Sequence, residues 1–297
     1  MGRHLSLVKR MSTVASHYTQ TKILDKIMTG LTALNIGKPT INDLSSVDEF
    51  HVGGVNATKE LLDQLSISST DKVLDIGCGI GGAARFVATT YDDANVVGID
   101  LTPEYVEAGN ALNTLCGLSS NQVELKVGSG TNLSETLGEE GNQFDKAYML
   151  HVGMNIEDKE KLIADIAAQL KPGGKLAIYD IVRLGANASE ILDYPVPWAS
   201  SAEMDYASSE LVYKTAASRS GLKLVAERNC HARSLMFFEK MAAARAIGNG
   251  PPPLGLHILM GDDFPVKMKN IVENIRKERV TPYELIFEKL NTASSKM

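Results

Sequence analysis

Two periodicities alternate along the chain. Apolar residues at Leu24, Ile27, Leu31 and Leu34 recur at the three-and-four spacing of one helix face, which predicts a helix ahead of the main domain. From residue 71 to 181, short β-branched runs alternate with helical patterns, the rhythm of βαβ units feeding a parallel sheet. The predicted strands are 72–76, 95–99, 122–127, 144–149 and 175–181. Between them, Tyr105, Ala108, Leu112 and Leu115 mark one helix, and Leu162, Ile166 and Leu170 another. Lys171-Pro172-Gly173-Gly174 ends the latter, because proline cannot continue a helix and glycine accepts the positive φ of the turn. After a loop with Tyr194-Pro195-Val196-Pro197-Trp198, the pattern predicts a helix over 208–219, a strand over 222–229 and a helix over 233–246. A break at 250–253, a helix carrying Met268, Ile271, Val272 and Ile275, and a closing strand over 283–290 complete the chain.

Composition narrows the class. The 297 residues are 44% hydrophobic and 22% charged, ordinary for a globular protein, and a net charge of −6 offers no general attraction to nucleic acid. No stretch approaches the roughly 20 apolar residues of a membrane span, so no integral membrane association is expected. Cys78, Cys116 and Cys230 are odd in number and lack CxxC spacing, which argues against a disulfide framework or a structural metal site and for a reducing, cytoplasmic setting. Residues 1–22 carry Arg3, Lys9, Arg10 and Lys22 and no acid, the pattern of a flexible basic start with a faint likeness to an organellar import segment.

The strongest chemical signal is Val73-Leu74-Asp75-Ile76-Gly77-Cys78-Gly79-Ile80-Gly81-Gly82, a buried strand running into a glycine turn and then a helix. Gly77, Gly79 and Gly82 also fit GxGxxG, so the glycines alone leave a dinucleotide and S-adenosylmethionine both open. Asp75 separates the two. At the strand tip it would repel a pyrophosphate on the helix N-terminus and attract the ammonium of a methionine moiety. Asp100 ends the second strand about 20 residues after the turn, where a carboxylate binds a ribose in either cofactor. Gly128-Ser129 follows the third strand, at the adenine edge of this topology.

These motifs together resemble the class I S-adenosylmethionine-dependent methyltransferases. The likeness rests on Asp75-x-Gly77-x-Gly79-x-Gly81, Asp100, Phe144-Asp145 and Leu170-Lys171-Pro172-Gly173-Gly174 in the family's order. It implies an α/β fold: a Rossmann-like, doubly wound, seven-stranded and mostly parallel sheet. One domain over 23–297 would then hold a helical cover (23–70), a cofactor-binding core (71–231), a helical lid insertion (232–281) and a closing strand (282–290). The segment Asp48-Glu49-Phe50-His51-Val52-Gly53-Gly54 resembles the lead-in of small-molecule enzymes grouped with phosphoethanolamine, sarcosine/dimethylglycine and quinone methyltransferases. The resemblance implies cofactor contacts at Tyr18, His51, Gly53, Gly54, Asp75, Gly77, Cys78, Gly79, Asp100, Leu101, Gly128 and Ser129, with S-adenosylhomocysteine as product. Two positions depart from the pattern. Ser129 stands where many relatives have Asp, and His151 and Asn155 stand where phosphoethanolamine methyltransferases have Asp and His. Phosphoethanolamine is therefore not the favoured acceptor.

Methyl transfer from a sulfonium is an in-line displacement that needs alignment rather than a metal or a covalent intermediate. His151, after the fourth strand, is the expected base or acceptor-orienting group, with Tyr18 near the methyl group. Asn155 would hydrogen-bond the acceptor or equally cap the helix from residue 157. Trp198 would wall the acceptor pocket, and Arg233 would clamp an acceptor carboxylate in a lid with His231, His257 and Met260. The expected acceptor is a small polar, amino-acid-like amine, thiol or thioether, acted on by a monomer or homodimer. The alternatives are C- or O-methylation of a quinone, phenolic or lipid-like acceptor, a dinucleotide oxidoreductase, and a catalytically silent cofactor-binding protein.

Overall fold

A computed structural model describes residues 22–291 apart from 92–93, 139–140, 142, 188 and 248–251. Seven strands form one sheet in the order β3-β2-β1-β4-β5-β7-β6. They are β1 (Lys72–Ile76), β2 (Asn95–Asp100), β3 (Val123–Val127), β4 (Phe144–Leu150), β5 (Leu170–Arg183), β6 (Leu222–Asn229) and β7 (Val280–Lys289). β1 pairs in parallel with β2 and β4, and β7 runs antiparallel between β5 and β6. The strand order reverses between β1 and β4, and in open α/β sheets that switch point opens a crevice at the carboxyl ends of the strands.

Strand alternation divides the core into two layers. Val73, Val96 and Tyr179 point to one face with Leu61, Leu62 and Val87, while Leu74, Ile76, Val97, Ile99 and Ile178 meet Leu162, Ile166 and Tyr213 on the other. Helices α3 (Gly54–Asp63) and α4 (Gly82–Thr90) cover the first face. On the second lie α7 (Lys159–Gln169) and α8 (Glu210–Arg219). Burial on both sides explains the nearly unbroken apolar runs that marked these strands in the sequence.

The N-terminal cover consists of α1 (Ile23–Ala33) and α2 (Ile41–Asp48), the latter opened by a reciprocal capping box between Thr40 and Asp43. The buried face of α1 is Ile23, Ile27, Gly30 and Leu31, whereas Leu34, assigned to that face from its spacing, is 43% exposed. Gly30 sits where a Cβ would lie 2.6 Å from Leu254, so the stripe turns toward the C-terminal insertion. α5 (Pro103–Leu115) and α6 (Leu133–Leu137) flank β3. The insertion itself comprises α9 (His231–Ile247), α10 (His257–Met260) and α11 (Phe264–Arg276). It packs Phe238, Ile271 and Ile275 against Met154, Ile181 and Trp198. Part of the break expected at 250–253, residues 250 and 251, lies outside the described residues. Among the described residues no helix is long and apolar enough to cross a membrane.

A buried ion pair ties the cover to the core. Arg85, in α4 and fully buried, donates to the Asp48 carboxylate at 2.8 Å and to Asn113 Oδ1 at 2.8 Å. This holds the end of α2, and the 48–51 segment after it, over the tip of β1. Replacing Arg85 with Met strands a buried carboxylate, and the unfolding free energy should fall by about 3–5 kcal/mol in denaturant titration.

Candidate active site

The site grows out of the turn after β1. The Gly77 and Cys78 N–H groups both donate to the Ile99 carbonyl, at 2.7 and 3.1 Å, locking the turn onto β2. Asp100 braces it from the side. One carboxylate oxygen accepts from the Gly79 N–H at 2.9 Å and the other from the Thr102 N–H at 2.8 Å. Gly77 has φ +70°, and a Cβ there would lie 2.4 Å from Val152 Cγ2, so the position requires glycine on two counts. Gly79 has φ +54° with nothing within 4 Å of a Cβ, because it faces a cavity.

That cavity, of about 240 Å³, is lined by the tips of β1, β2, β3 and β4 and by residues 48–51. Asp75 lies at its base, 2% exposed, and accepts from the Tyr148 hydroxyl at 2.9 Å. Burial, with a smaller contribution from the Asp100 charge, pushes the Asp75 carboxyl up to about 7. Among the described residues no Lys or Arg forms an ion pair with it. Asp100 is also raised, chiefly by burial.

Two histidines close the opposite wall. His51 contacts Thr58 Oγ1 at 3.0 Å and the Gly54 carbonyl at 3.2 Å, while Thr58 donates to Glu49 at 2.6 Å. Burial lowers His51 to about 4 and raises Glu49 to about 8, with Asp48 adding to the latter. His151 follows β4 with φ +55°, a left-handed conformation that turns its ring into the cavity. Its ring centroid is 5.0 Å from that of Tyr179 and 5.9 Å from that of His51, and its buried Nε2 has no hydrogen-bond partner among the described residues. Burial and the neighbouring His51 lower its pKa well below the usual imidazole range, so both rings are neutral near pH 7.

The expected cofactor residues divide. His51, Asp75, Gly77, Cys78, Gly79, Asp100, Leu101, Gly128 and Ser129 all line this cavity. The Ser129 hydroxyl is already engaged with Thr131 Oγ1 at 3.0 Å and accepts from the Thr131 N–H at 3.2 Å. Gly53 and Gly54, with φ +96° and +54°, do not line it; they form the turn into α3 that presents His51. Tyr18 lies outside the described residues.

The acceptor-side residues also divide. His151 and Asn155 line the cavity, and Asn155 belongs to a short 3₁₀ turn, the N-cap of α7 being Asp158. Trp198 lines a second, adjoining cavity and donates its Nε1–H to Asp205 at 2.8 Å. Arg233 reaches neither cavity: its guanidinium is paired with Glu60 at 2.5 Å and Glu284 at 3.7 Å, which removes it from the acceptor role read from the sequence. His231 likewise lines neither cavity, His257 lies on an outer groove, and Met260 lines the second cavity. Sequence reading missed Phe237, Phe238 and Met241, which wall that cavity. Their i, i+1, i+4 spacing on a predicted helix was the available signal.

The residues present fit S-adenosylmethionine. A buried carboxylate without a cation awaits an ammonium, a second carboxylate stands at the β2 tip, and the glycine turn leaves its backbone open to a ligand. Comparisons with known proteins agree. Residues 73–174, about a third of the chain, match the family model described as a methyltransferase domain. Phosphoethanolamine N-methyltransferase 1 of Triticum aestivum is 39% identical over 138 residues, 46% of this chain but only 26% of that protein. The match thus spans about a quarter of the wheat protein's length. The solved structure of phosphoethanolamine N-methyltransferase 2 from Haemonchus contortus, with phosphomonomethylethanolamine and S-adenosylhomocysteine, superposes with a TM-score of 0.63 at 19% identity, covering 92% of this chain and 61% of that one. Geranyl diphosphate C-methyltransferase from Streptomyces coelicolor gives 0.62 at 16% identity, with 80% and 79% covered. At such identities the likeness shows the shared fold.

The two turn glycines predict different sensitivities. Gly79→Ala carries only the roughly 1–2 kcal/mol cost of a left-handed alanine. Gly77→Ala adds the overlap with Val152 and should destabilise the protein measurably more, as read from paired denaturant unfolding curves.

Proposed function

We propose that the chain is an S-adenosylmethionine-dependent methyltransferase that acts on a small-molecule acceptor seated beside His151. The observation that carries the reading is Asp75: a desolvated carboxylate without a cationic partner, next to a glycine turn at the switch point of the sheet. Asp75 would hold the amino-acid ammonium, Asp100 the ribose, and Gly128 and Ser129 would border the adenine. Bound in this way, the cofactor supplies a methyl group activated by its positively charged sulfur.

The remaining chemistry belongs to the protein. His51 and His151, both neutral, line the cavity and would bound the place where an acceptor meets the methyl group, aligning it for in-line transfer. The unpartnered Nε2 of His151 can accept a hydrogen bond or a proton from an acceptor that must lose one. The preferred acceptor is an amine nitrogen or a thioether or thiol sulfur, a reading supported by the relatives named for phosphoethanolamine methylation. A second reading, C- or O-methylation of a phenolic or lipid-like acceptor, is favoured by the apolar lining of the cavity that contains Trp198.

Calorimetric titration with S-adenosylhomocysteine, against NADH as the competing class, tests the proposal; binding of NADH alone overturns it. The Asp75 carboxyl must be ionised to attract an ammonium, and its pKa in the free protein is about 7. Affinity should therefore rise about tenfold between pH 6 and pH 8, and Asp75→Asn should be weaker and flat over that range. His151→Gln should leave this affinity within about threefold while lowering turnover by about 10²-fold or more in a methyl-transfer assay.

A further inference from the structure

The second cavity differs in chemistry from the first. It has a volume of about 60 Å³, and Phe50, His51 and His151 belong to both linings, so the two adjoin at the imidazole pair. Among the described residues fifteen line it, and none of these is Asp, Glu, Lys or Arg. Phe237, Phe238 and Met241 from α9, Met268 and Ile271 from α11 and the ring of Trp198 contribute to its wall. The Trp198 N–H is committed to Asp205, whose carboxylate is also held by Arg183 at 2.6 Å and Tyr194 at 2.7 Å. The remaining polar side chains in the lining are His51, whose Nε2 is engaged by Thr58 and the Gly54 carbonyl, and His151, whose Nε2 is unpartnered among the described residues.

Resting on the methyltransferase reading, we propose that the acceptor is amphipathic: its nucleophilic atom lies beside His151, and a short apolar body of branched-alkyl size, without carboxylate or phosphate, fills the second cavity. Continuity places this chamber behind the reacting position rather than on a separate surface. A carboxylate or phosphate buried there would find no cation among the described lining residues, and Arg233, the first arginine of the insertion, is held away by Glu60 and Glu284. The volume sets the size, since a cavity of about 150 Å³ holds one benzene ring and this one is less than half as large. Met154, Met241, Met260 and Met268 make the wall adaptable, because an unbranched thioether side chain repacks easily.

The test uses sets of ligands that share a head and differ in the tail. Isopentylamine is compared with β-alanine and phosphoethanolamine, and isopentyl methyl sulfide with 3-(methylthio)propionate. Binding to the full chain saturated with S-adenosylhomocysteine is read by saturation-transfer NMR, and methyl transfer by a tritium assay. The apolar-tailed member of each set should bind at least tenfold tighter, with roughly a fourfold gain per added buried methylene until the chamber is full. Ile271→Trp, which fills the chamber, should abolish that preference while S-adenosylhomocysteine affinity stays unchanged. Met241→Ala should move the optimum to a longer tail, a gain that damaged folding would not produce. Equal or tighter binding of the carboxylate or phosphate tails, or no binding of either apolar-tailed ligand at 10 mM, overturns the proposal and leaves the methyltransferase reading standing. Failure of S-adenosylhomocysteine itself to bind would instead remove that reading.

Discussion

Desolvation of the Asp75 carboxylate is the constraint on which the site depends. Buried at the cavity base, with the Tyr148 hydroxyl as its side-chain donor among the described residues, the carboxyl is raised to about 7, and a ligand ammonium is the natural compensating charge. Its position is set by β1 in the interior of the sheet, between β2 and β4. The turn that follows is fastened by the Ile99 carbonyl and the Asp100 side chain, so the first ligand-facing elements are rigid before anything binds. Preorganisation of this kind lowers the ordering cost of binding.

The wall opposite Asp75 is built at the expense of stability. His151 adopts a left-handed backbone and keeps a buried nitrogen without a partner, each costing of order 1–3 kcal/mol in a folded protein. Such costs concentrate where a side chain must point into a cavity rather than into packing. Surrounding structure over-determines the arrangement: the His151 N–H donates to the Tyr179 carbonyl at 2.7 Å, and the Tyr179 hydroxyl donates to the Val52 carbonyl at 3.0 Å. The 48–52 segment, β4 and β5 therefore meet at one point.

Much of the fold was legible because local rules and the global architecture agree. The β1 glycine turn, the βαβ rhythm and the Lys171-Pro172-Gly173-Gly174 break each identify their elements from a few adjacent residues. Asp75, Gly77, Gly79 and Asp100 were legible for the same reason: strand tips and turn glycines are read from local spacing. The insertion was not. Its histidines and Arg233 suggested a polar lid, whereas the folded chain spends Arg233 on Glu60 and Glu284 and turns Phe237, Phe238 and Met241 inward. Which face of α9 looks inward depends on packing against α11 and β7, elements that follow it in the chain.

The sequence by itself determined the class of the domain and the electrostatic heart of its cleft, since a charged side chain beside a glycine turn is a short-range pattern. It also set the strands, through alternation and β-branching. Tertiary structure alone decided that Gly53 and Gly54 shape a turn rather than touch the cavity, that Asn155 sits on a 3₁₀ turn, and that the chamber behind His151 is apolar. Those outcomes depend on which ion pairs form between distant segments and which helix faces are covered. Both are fixed by the competition of long-range contacts for burial, and no local spacing records it.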